Sequence, residues 1–488
     1  MTRLLALLVL LALVPPALAA QSDDASRLVA ALLGDTPMIS DLQTLTDRIG
    51  GRPTGSAANQ RAFDWALERF REAGVEARKE PFRMPGLWLE RAARATIRGG
   101  GVSFGARVAA LPFSAATAAA GLTAPLVDAG RGTEADFAAL GGRAKGAFVL
   151  IETEELLDLD GLFREYVEAG HIERRAIAAG VAGLVYMSSR PGNTLARHNA
   201  ALGWANRHPM MMMERDAAAR ALRLLRTGTS LTLSAVLDIR SGPAYTAHNV
   251  VGEIRGSTRP DEIVVIGAHL DSWDLGTGAL DNGANCAMVL DLARQIVRLG
   301  LKPARTIRFA LWNGEEQNLN GSYGYTLSHA AELDRHVMAS SYDIGTGAIT
   351  GYFTGGRADM VPVLERALAP VAALGPFTHV NVPIVGTDNY DFMMQGVPNL
   401  VANQASANYG PNYHARSDEF GRADLRQLRL NAAIAAATTW GFATLDLSRP
   451  RQTAAQVDSM VRNTDLPDQM KSFNVYDAWV AGKRGLRP

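Results

Sequence analysis

Residues 261–316 read DEIVVIGAHLDSWDLGTGALDNGANCAMVLDLARQIVRLGLKPARTIRFALWNGEE. The apolar, largely β-branched run 263–266 predicts a buried strand, and the run 306–312 predicts a second one. Between them, residues 284–299 carry apolar side chains at helical spacing. A strand, a helix and a second strand in this order form a parallel pair whose carboxyl ends meet at one edge of a sheet. The stretch therefore predicts an α/β fold with its chemistry at that edge.

Potential metal ligands follow both predicted strands and the turn between them. Carboxylates that emerge together from apolar strands would repel one another without a cation. Catalytic zinc takes imidazole and carboxylate ligands and keeps one position open for water. Taken singly, a His-x-Asp pair also fits a hydrogen-bonded histidine, and adjacent glutamates also fit an exposed helix start, but the whole set favours a metal site. Its members are His269, Asp271, Asp274, Asp281, Glu315 and Glu316.

Four separated motifs resemble, in order, the metal-site motifs of the co-catalytic zinc aminopeptidase and plasma glutamate carboxypeptidase family, especially its carboxypeptidase Q branch. The resemblance extends over about residues 39–445. It implies an α/β fold with a zinc-exopeptidase-like mixed, mostly parallel sheet sandwiched by helices, and a smaller inserted β/α protease-associated domain. The motifs are HLDSWDLGTGALDNG (269–283), WNGEEQ (312–317), SYDIGTG (341–347) and NYHARSDEF (412–420).

The resemblance also implies two zinc ions per chain and a ligand for each motif. His269 and Glu316 correspond to the ligands of one ion, and Asp343 and His414 correspond to those of the other. Asp281 corresponds to the carboxylate that bridges both ions.

Two further carboxylates correspond to catalytic residues of that family. Glu315 corresponds to the general base, and Asp271 to the residue that accepts a hydrogen bond from the ligand imidazole. The resemblance also predicts a cis peptide bond between Asp281 and Asn282. Near the last ligand the family's common Asp-Thr is replaced by Asp418-Glu419, so the contacts around that ligand are left open.

Composition divides the chain into five predicted segments. Residues 1–20 have a basic start, a short apolar core and a small-residue cleavage pattern, as in a secretory signal peptide. Residues 105–240 are rich in alanine and glycine and contain pieces that resemble a protease-associated domain, with predicted strands at 126–128, 147–151 and 183–187. The peptidase domain is predicted over 21–104 and 241–446, and the C-terminal extension over 447–488.

Charge and cysteine content narrow the class of protein. The chain has 49 basic and 49 acidic residues, so it lacks the electrostatic field that attracts nucleic acid or an anionic membrane. Its single cysteine, Cys286, excludes an internal disulfide and is expected to be a small core residue. No run after the signal peptide is long enough to span a bilayer. These features favour an exported protein, periplasmic or extracellular, from a bacterium.

Several other features are assigned structural roles or left open. The Met210–Met213 run fits core packing or an adaptable pocket, and residues 388–391 fit either substrate contact or a helix cap. Residues 424–445 are expected to form an amphipathic closing helix. The C-terminal tail fits an extension packed on its own chain or part of a homodimer contact. The histidines not expected to bind metal are His171, His198, His208, His329, His336 and His379.

The function predicted from these observations is that of an exported di-zinc exopeptidase, either an aminopeptidase or a dipeptidase, that acts on peptides or dipeptides near a free terminus. One alternative is a one-zinc glutaminyl cyclase on the same fold, for which five ligand positions are too many. The other is a non-catalytic binding protein on that fold, in which gaps among the ligands are expected; none of the predicted ligands is missing from the sequence.

Overall fold

The computed structural model describes residues 16–156, 158–448 and 450–487. Residues 1–15 of the predicted signal peptide lie outside the described residues. Among the described residues, no helix combines the length and apolarity needed to cross a membrane. The strands are β1 Glu76–Met84, β2 Leu87–Gly99, β3 Val102–Ala106, β4 Val108–Ala110, β5 Leu122–Asp128, β6 Phe148–Ile151, β7 Gly183–Met187, β8 Met210–Met213, β9 Leu231–Gly242, β10 Tyr245–Ile254, β11 Arg259–His269, β12 Arg305–Trp312, β13 His336–Ser341, β14 Ile349–Phe353 and β15 Asn399–Gln404.

Helices connect and cover these strands, and short 3₁₀ and π turns occur beside them. Ser56 caps the third helix, because its side chain accepts a hydrogen bond from the Asn59 N–H. The α-helices are α1 Pro16–Leu33, α2 Met38–Thr44, α3 Ala57–Glu72, α4 Glu134–Leu140, α5 Leu159–Ala178, α6 Arg215–Arg226, α7 Ala284–Arg298, α8 Asn320–Ser328, α9 Val361–Ala367, α10 Asn389–Met394, α11 Tyr409–Asn412, α12 Leu425–Thr444, α13 Ala454–Arg462, α14 Leu466–Ser472 and α15 Tyr476–Val480.

The first sheet has seven strands in the order β1-β10-β12-β11-β13-β15-β14. The four neighbouring strands β12, β11, β13 and β15 are parallel, whereas β1, β10 and β14 pair antiparallel at the two sides. Helices cover both faces, with α7 and α12 in the larger hydrophobic core and α8 and α10 against the other face. This confirms the predicted mixed sheet sandwiched by helices, although only its centre is parallel.

Helix α12 differs from its predicted amphipathic character. Its residues 431–444 are all buried. The helix lies between the sheet and an outer layer that includes α1 and α9, so it has no face toward solvent over this part of its length.

A second sheet has eight strands in the order β3-β2-β9-β5-β6-β7-β8-β4. It takes in residues 87–242, because β2 pairs with β9 from Leu87↔Gly242 to Arg98↔Thr232. The sheet therefore begins before position 105, where composition placed the start of the insert. The four methionines of β8 are fully buried in it, which confirms core packing.

The tail packs on its own chain. Helices α13, α14 and α15 contribute the apolar residues Val457, Leu466, Met470 and Trp479 to a cluster that also contains residues of α10. The interpretation as a packed extension is therefore confirmed.

Candidate metal centre

The predicted donors meet at the carboxyl edge of the first sheet. His269 is the last residue of the central strand β11. Glu315 and Glu316 follow β12 on one side of it, and Asp343 follows β13 on the other. The fifth donor, His414, reaches the same edge from the loop after α11, with its backbone in the left-handed region at φ 53°.

Two groups of donors form there and share one carboxylate. In the first, the Nε2 atom of His269 lies 3.2 Å from Asp281 Oδ1 and 3.4 Å from Asp343 Oδ2. In the second, the Nε2 atom of His414 lies 3.3 Å from Asp281 Oδ2 and 2.8 Å from Glu316 Oε2. In each group the potential ligand atoms lie within 4.8 Å of one another. Asp281 thus directs one oxygen to each group, as a bridging ligand must.

The predicted pairing of the ligands was wrong. Sequence analysis placed His269 with Glu316 and Asp343 with His414, whereas the structure places His269 with Asp343 and His414 with Glu316. Strand order alone leaves the pairing open, because β12 and β13 both lie beside β11. The loop that carries His414 decides it, since it brings His414 Nε2 to 2.8 Å from Glu316 Oε2, while Asp343 Oδ2 lies 3.4 Å from His269 Nε2.

The two groups fit divalent cations. Four of their buried atoms have no hydrogen-bond partner: His269 Nε2, Asp281 Oδ2, Glu316 Oε1 and His414 Nδ1. Burial lowers the pKa of His414 to about 4, so its imidazole is neutral and can donate a lone pair. Burial also opposes protonation of His269, but the carboxylates of Asp343 and Glu315 outweigh it and raise the pKa of this histidine well above its usual value. A cation would satisfy the same carboxylates in place of that proton.

Glu315 and Asp271 lie near different nitrogen atoms of His269. The Oε2 atom of Glu315 is 4.0 Å from His269 Nε2, and burial raises the pKa of this carboxyl well above its usual range. The expected hydrogen bond to Asp271 involves a different atom. His269 Nδ1 lies 3.0 Å from the backbone carbonyl of Asp271, and 3.8 Å from its carboxylate. The carboxylate instead accepts hydrogen bonds from Thr54 Oγ1 at 2.7 Å and from the Glu315 N–H at 3.4 Å.

The backbone around Asp281 is held by Asp418. The Asp418 carboxylate accepts hydrogen bonds from the N–H groups of Leu280 at 2.6 Å and Asp281 at 3.1 Å. Burial raises the pKa of Asp418 to about 7 in spite of these bonds. The predicted cis peptide bond between Asp281 and Asn282 is present. Asp418 therefore supplies the contacts that were left open around the last ligand. The Glu419 side chain accepts a hydrogen bond from the Thr277 hydroxyl.

Sequence analysis missed Arg52, which is fully buried under the same turn. Its guanidinium donates to the carbonyls of Leu270, Thr277 and Gly278. It therefore fixes both ends of the segment between His269 and Asp281. The only sequence signal was the GGRPTGS turn (50–56), in which an arginine looks like an ordinary exposed residue.

The second sheet holds the loop that carries His414. Ala196 and Ala415 form an antiparallel bridge, and the Arg197 N–H donates to the His414 carbonyl at 2.9 Å. The buried Arg190 donates through Nε to the carbonyl of Tyr413 at 3.0 Å. The Asn199 side chain donates to the Glu316 carbonyl at 2.9 Å. Elements of the second sheet thus position the second donor group.

A narrow cavity of about 40 Å³ adjoins the donors. Loops at the edge of the first sheet, Tyr166 and Asn199 beside the second sheet, and the C-terminal tail all contribute to its walls. Its lining residues are Tyr166, Asn199, Glu315, Glu316, Asn318, Leu319, Gly386, Tyr413, His414, Ser472, Phe473 and Asn474.

Residues 388–391 were expected to contact substrate or to cap a helix, and the structure gives Asp388 and Asp391 different surroundings. Asp388 precedes helix α10 without capping it through its side chain, and both of its buried oxygens lack a hydrogen-bond partner. Burial raises the pKa of Asp388 to about 8. Asp391 instead forms an ion pair with Arg484 of the tail. Neither residue belongs to the two donor groups.

Cys286 and the histidines that were not expected to bind metal contact neighbouring protein groups and belong to neither of the two donor groups. Cys286 is buried in the core, as expected, and its thiol donates to the His269 carbonyl. His329 lies between Glu80 and Glu332, and His336 hydrogen-bonds the Tyr325 hydroxyl. His198 is buried in the loop between β7 and β8, with its ring 4.4 Å from that of Tyr166. None of the histidines set aside in the sequence belongs to the two donor groups.

Comparisons with known proteins agree with this geometry. The model of the Peptidase family M28 matches residues 249–439. Mouse carboxypeptidase Q is 31% identical over 233 residues, 47% of this chain and 48% of the mouse protein, so the chain spans about half the length of this relative. The crystal structure of a peptidase M28 precursor from Shewanella amazonensis SB2B has a TM-score of 0.79 at 27% identity, covering 89% of this chain and 99% of that one. BSAP, a zinc aminopeptidase from Bacillus subtilis, shares the fold with a TM-score of 0.65 at 22% identity, covering 84% and 96%.

Proposed function

From the premise that residues 249–439 are a peptidase family M28 domain of the carboxypeptidase Q-like type, we propose that this protein is an exported zinc-dependent exopeptidase. It hydrolyses peptides near a free terminus, as an aminopeptidase or a dipeptidase, and uses two zinc ions per chain. Residues 87–242 serve as its protease-associated domain.

One observation carries this proposal: five donors, four of them buried, form two groups that share Asp281. Two imidazoles and three carboxylates are ligands that zinc accepts. His269 and Asp343 would hold one ion, and Glu316 and His414 the other. The Bacillus subtilis relative of the same fold is a zinc aminopeptidase, which supports zinc as the metal.

Bound zinc would polarise the scissile carbonyl and lower the pKa of the attacking water. Glu315 lies beside the donors and lines the adjoining cavity, so its carboxylate can take a proton from that water and return it to the leaving amine. The Asp271 carbonyl accepts a hydrogen bond from the Nδ1–H group of His269, which leaves the lone pair of Nε2 free to bind metal. The Asp271 carboxylate holds the Glu315 backbone in turn.

The test combines metal analysis with one substitution. Purified protein, measured by mass spectrometry of its metals, is expected to contain two zinc ions per chain and to hydrolyse unblocked di- and tripeptides. Glu315→Gln is expected to keep both ions and to lose about 10²- to 10⁴-fold in kcat, the usual contribution of a general base. Glu68→Gln, on the exposed surface of α3, is the matched control and should change neither value.

Each contrary outcome identifies a different error. One tightly bound zinc favours the glutaminyl cyclase. Two zinc ions without hydrolysis of any peptide favour the binding protein. Full activity in Glu315→Gln shows that another group is the base.

A further inference from the structure

The cavity beside the donors is lined in part by a segment of the chain outside the family match. Ser472, Phe473 and Asn474 of the C-terminal tail line it together with Glu315 and His414. The family model ends at residue 439. The wall formed by the tail is therefore a feature of this chain that the matched domain alone does not supply.

Two aromatic rings meet in this wall. The Phe473 ring stacks on Tyr166 of helix α5 with centroids 5.8 Å apart and an interplanar angle of 9°. The Tyr166 hydroxyl lies 3.1 Å from that of Tyr413, which precedes the donor His414. The tail and helix α5 thus contact each other beside the loop that carries His414.

The tail segment is fixed to the loop that carries Glu315. The side chain of Asn318 donates to the Phe473 carbonyl at 3.2 Å. Nearby, Gln469 accepts a hydrogen bond from the Val385 N–H at 2.8 Å, one residue before Gly386 of the cavity lining. These bonds, with the apolar cluster under α13 to α15, make the wall a packed surface with a defined position.

We propose that Phe473, stacked on Tyr166, determines how long a peptide the site accepts. This inference rests on the proposed exopeptidase function. The stacked rings leave room for a chain terminus beside Glu315 and block a chain that continues past it. The residues that limit substrate length therefore lie in the tail and in the second sheet.

The experiment compares kcat/KM for unblocked alanine di-, tri- and tetrapeptides, so that either end of the substrate can meet the wall. The zinc-loaded wild type is expected to prefer the shortest substrate that it cleaves. Phe473→Ala should raise the ratio of tetrapeptide to dipeptide kcat/KM by about tenfold, equivalent to about 1.4 kcal/mol of transition-state binding. Tyr476→Ala, which removes a half-buried aromatic of the same tail away from the cavity, is the matched control and should leave the ratio unchanged.

Tyr166 gives an independent second arm. Tyr166→Ala should change the ratio in the same direction as Phe473→Ala, while Tyr166→Phe, which keeps the ring, should retain the wild-type ratio. If Phe473→Ala does not fold, the Tyr166 pair decides.

The outcomes separate this inference from the function beneath it. An active wild type whose length preference is the same within twofold in Phe473→Ala and Tyr166→Ala overturns the wall and leaves the peptidase intact. A zinc-loaded wild type that cleaves none of the peptides overturns the proposed function, and the wall with it.

Discussion

The buried ion pair between Arg484 and Asp391 is expected to hold the C-terminal tail on helix α10. The two side chains are 7% and 2% exposed and are joined by two hydrogen bonds of 2.8 and 2.6 Å. Arg484 also donates to the carbonyls of Asn318 and Leu319, beside the cavity. Arg484→Met keeps most of the apolar stem and removes the charge.

The expected loss of stability follows from burial. Removal of one partner leaves the Asp391 carboxylate in the interior without its counter-charge, which costs about 3–5 kcal/mol. Equilibrium unfolding in urea, followed by circular dichroism, measures this loss, and limited trypsin digestion shows whether the tail is released first. Arg484→Met/Asp391→Leu should recover much of the stability, because both charges are then absent.

The matched control is Lys471→Met in the same tail. Lys471 pairs with Asp468 at a similar distance, 2.8 Å, but the two side chains are 56% and 80% exposed. Exposed pairs contribute little to stability, so the urea midpoint should hardly move. If Arg484→Met is no less stable than Lys471→Met, the reasoning from burial is refuted.

Two other predictions concern the rest of the chain. Burial raises the pKa of Glu173 to about 8, whereas the pKa of this carboxyl in the unfolded chain is near 4.5. Because the folded protein holds the proton that the unfolded chain has lost, the free energy of unfolding should fall as the pH rises between these two values. Glu173→Gln should flatten that fall in urea midpoints between pH 5 and 8, whereas Glu168→Gln, at an exposed position, should follow the wild type. A Cβ on Gly441 of α12 would overlap Ala367 of α9, so Gly441→Ala should cost about 1–3 kcal/mol by thermal unfolding. Gly421→Ala, in open space, should leave the melting temperature unchanged. If Gly441→Ala loses no more stability than Gly421→Ala, the contact between α12 and α9 is looser than described.

Much of the site could be predicted because its chemistry follows the ends of buried strands. The runs before His269 and Glu315 are apolar enough to identify β11 and β12 without a structure. Parallel strands bring their carboxyl ends together, so donors far apart in sequence could be expected at one edge.

The pairing of donors could not be read in the same way. It depends on which side of β11 the loop carrying His414 approaches, and that approach is a tertiary property. The resemblance supplied a ligand set but the structure divides it differently. Arg52 and Asp418 were missed as supports for a related reason: their partners are backbone groups of distant residues, which leave no pattern in sequence.

Helix α12 shows a further limit. Its pattern was interpreted as one-sided, but a second helical layer covers it, so burial replaced the expected solvent face. Likewise, composition placed the start of the insert at 105, while the pairing of β2 with β9 places β2 in the second sheet.

The paired ends of the second sheet bear on attempts to shorten this protein. Leu87 and Gly242 are neighbours, so residues 87–242 could be excised and the gap closed with a brief linker. The truncated chain would retain all five donors, four of them on segments that adjoin strands of the first sheet. His414 would lose Ala196 and Arg197, on which its loop leans. Removal of residues 87–242 is therefore expected to leave the first sheet in place and to disturb the donor group of Glu316 and His414, so the segment that is easiest to excise also supports the site.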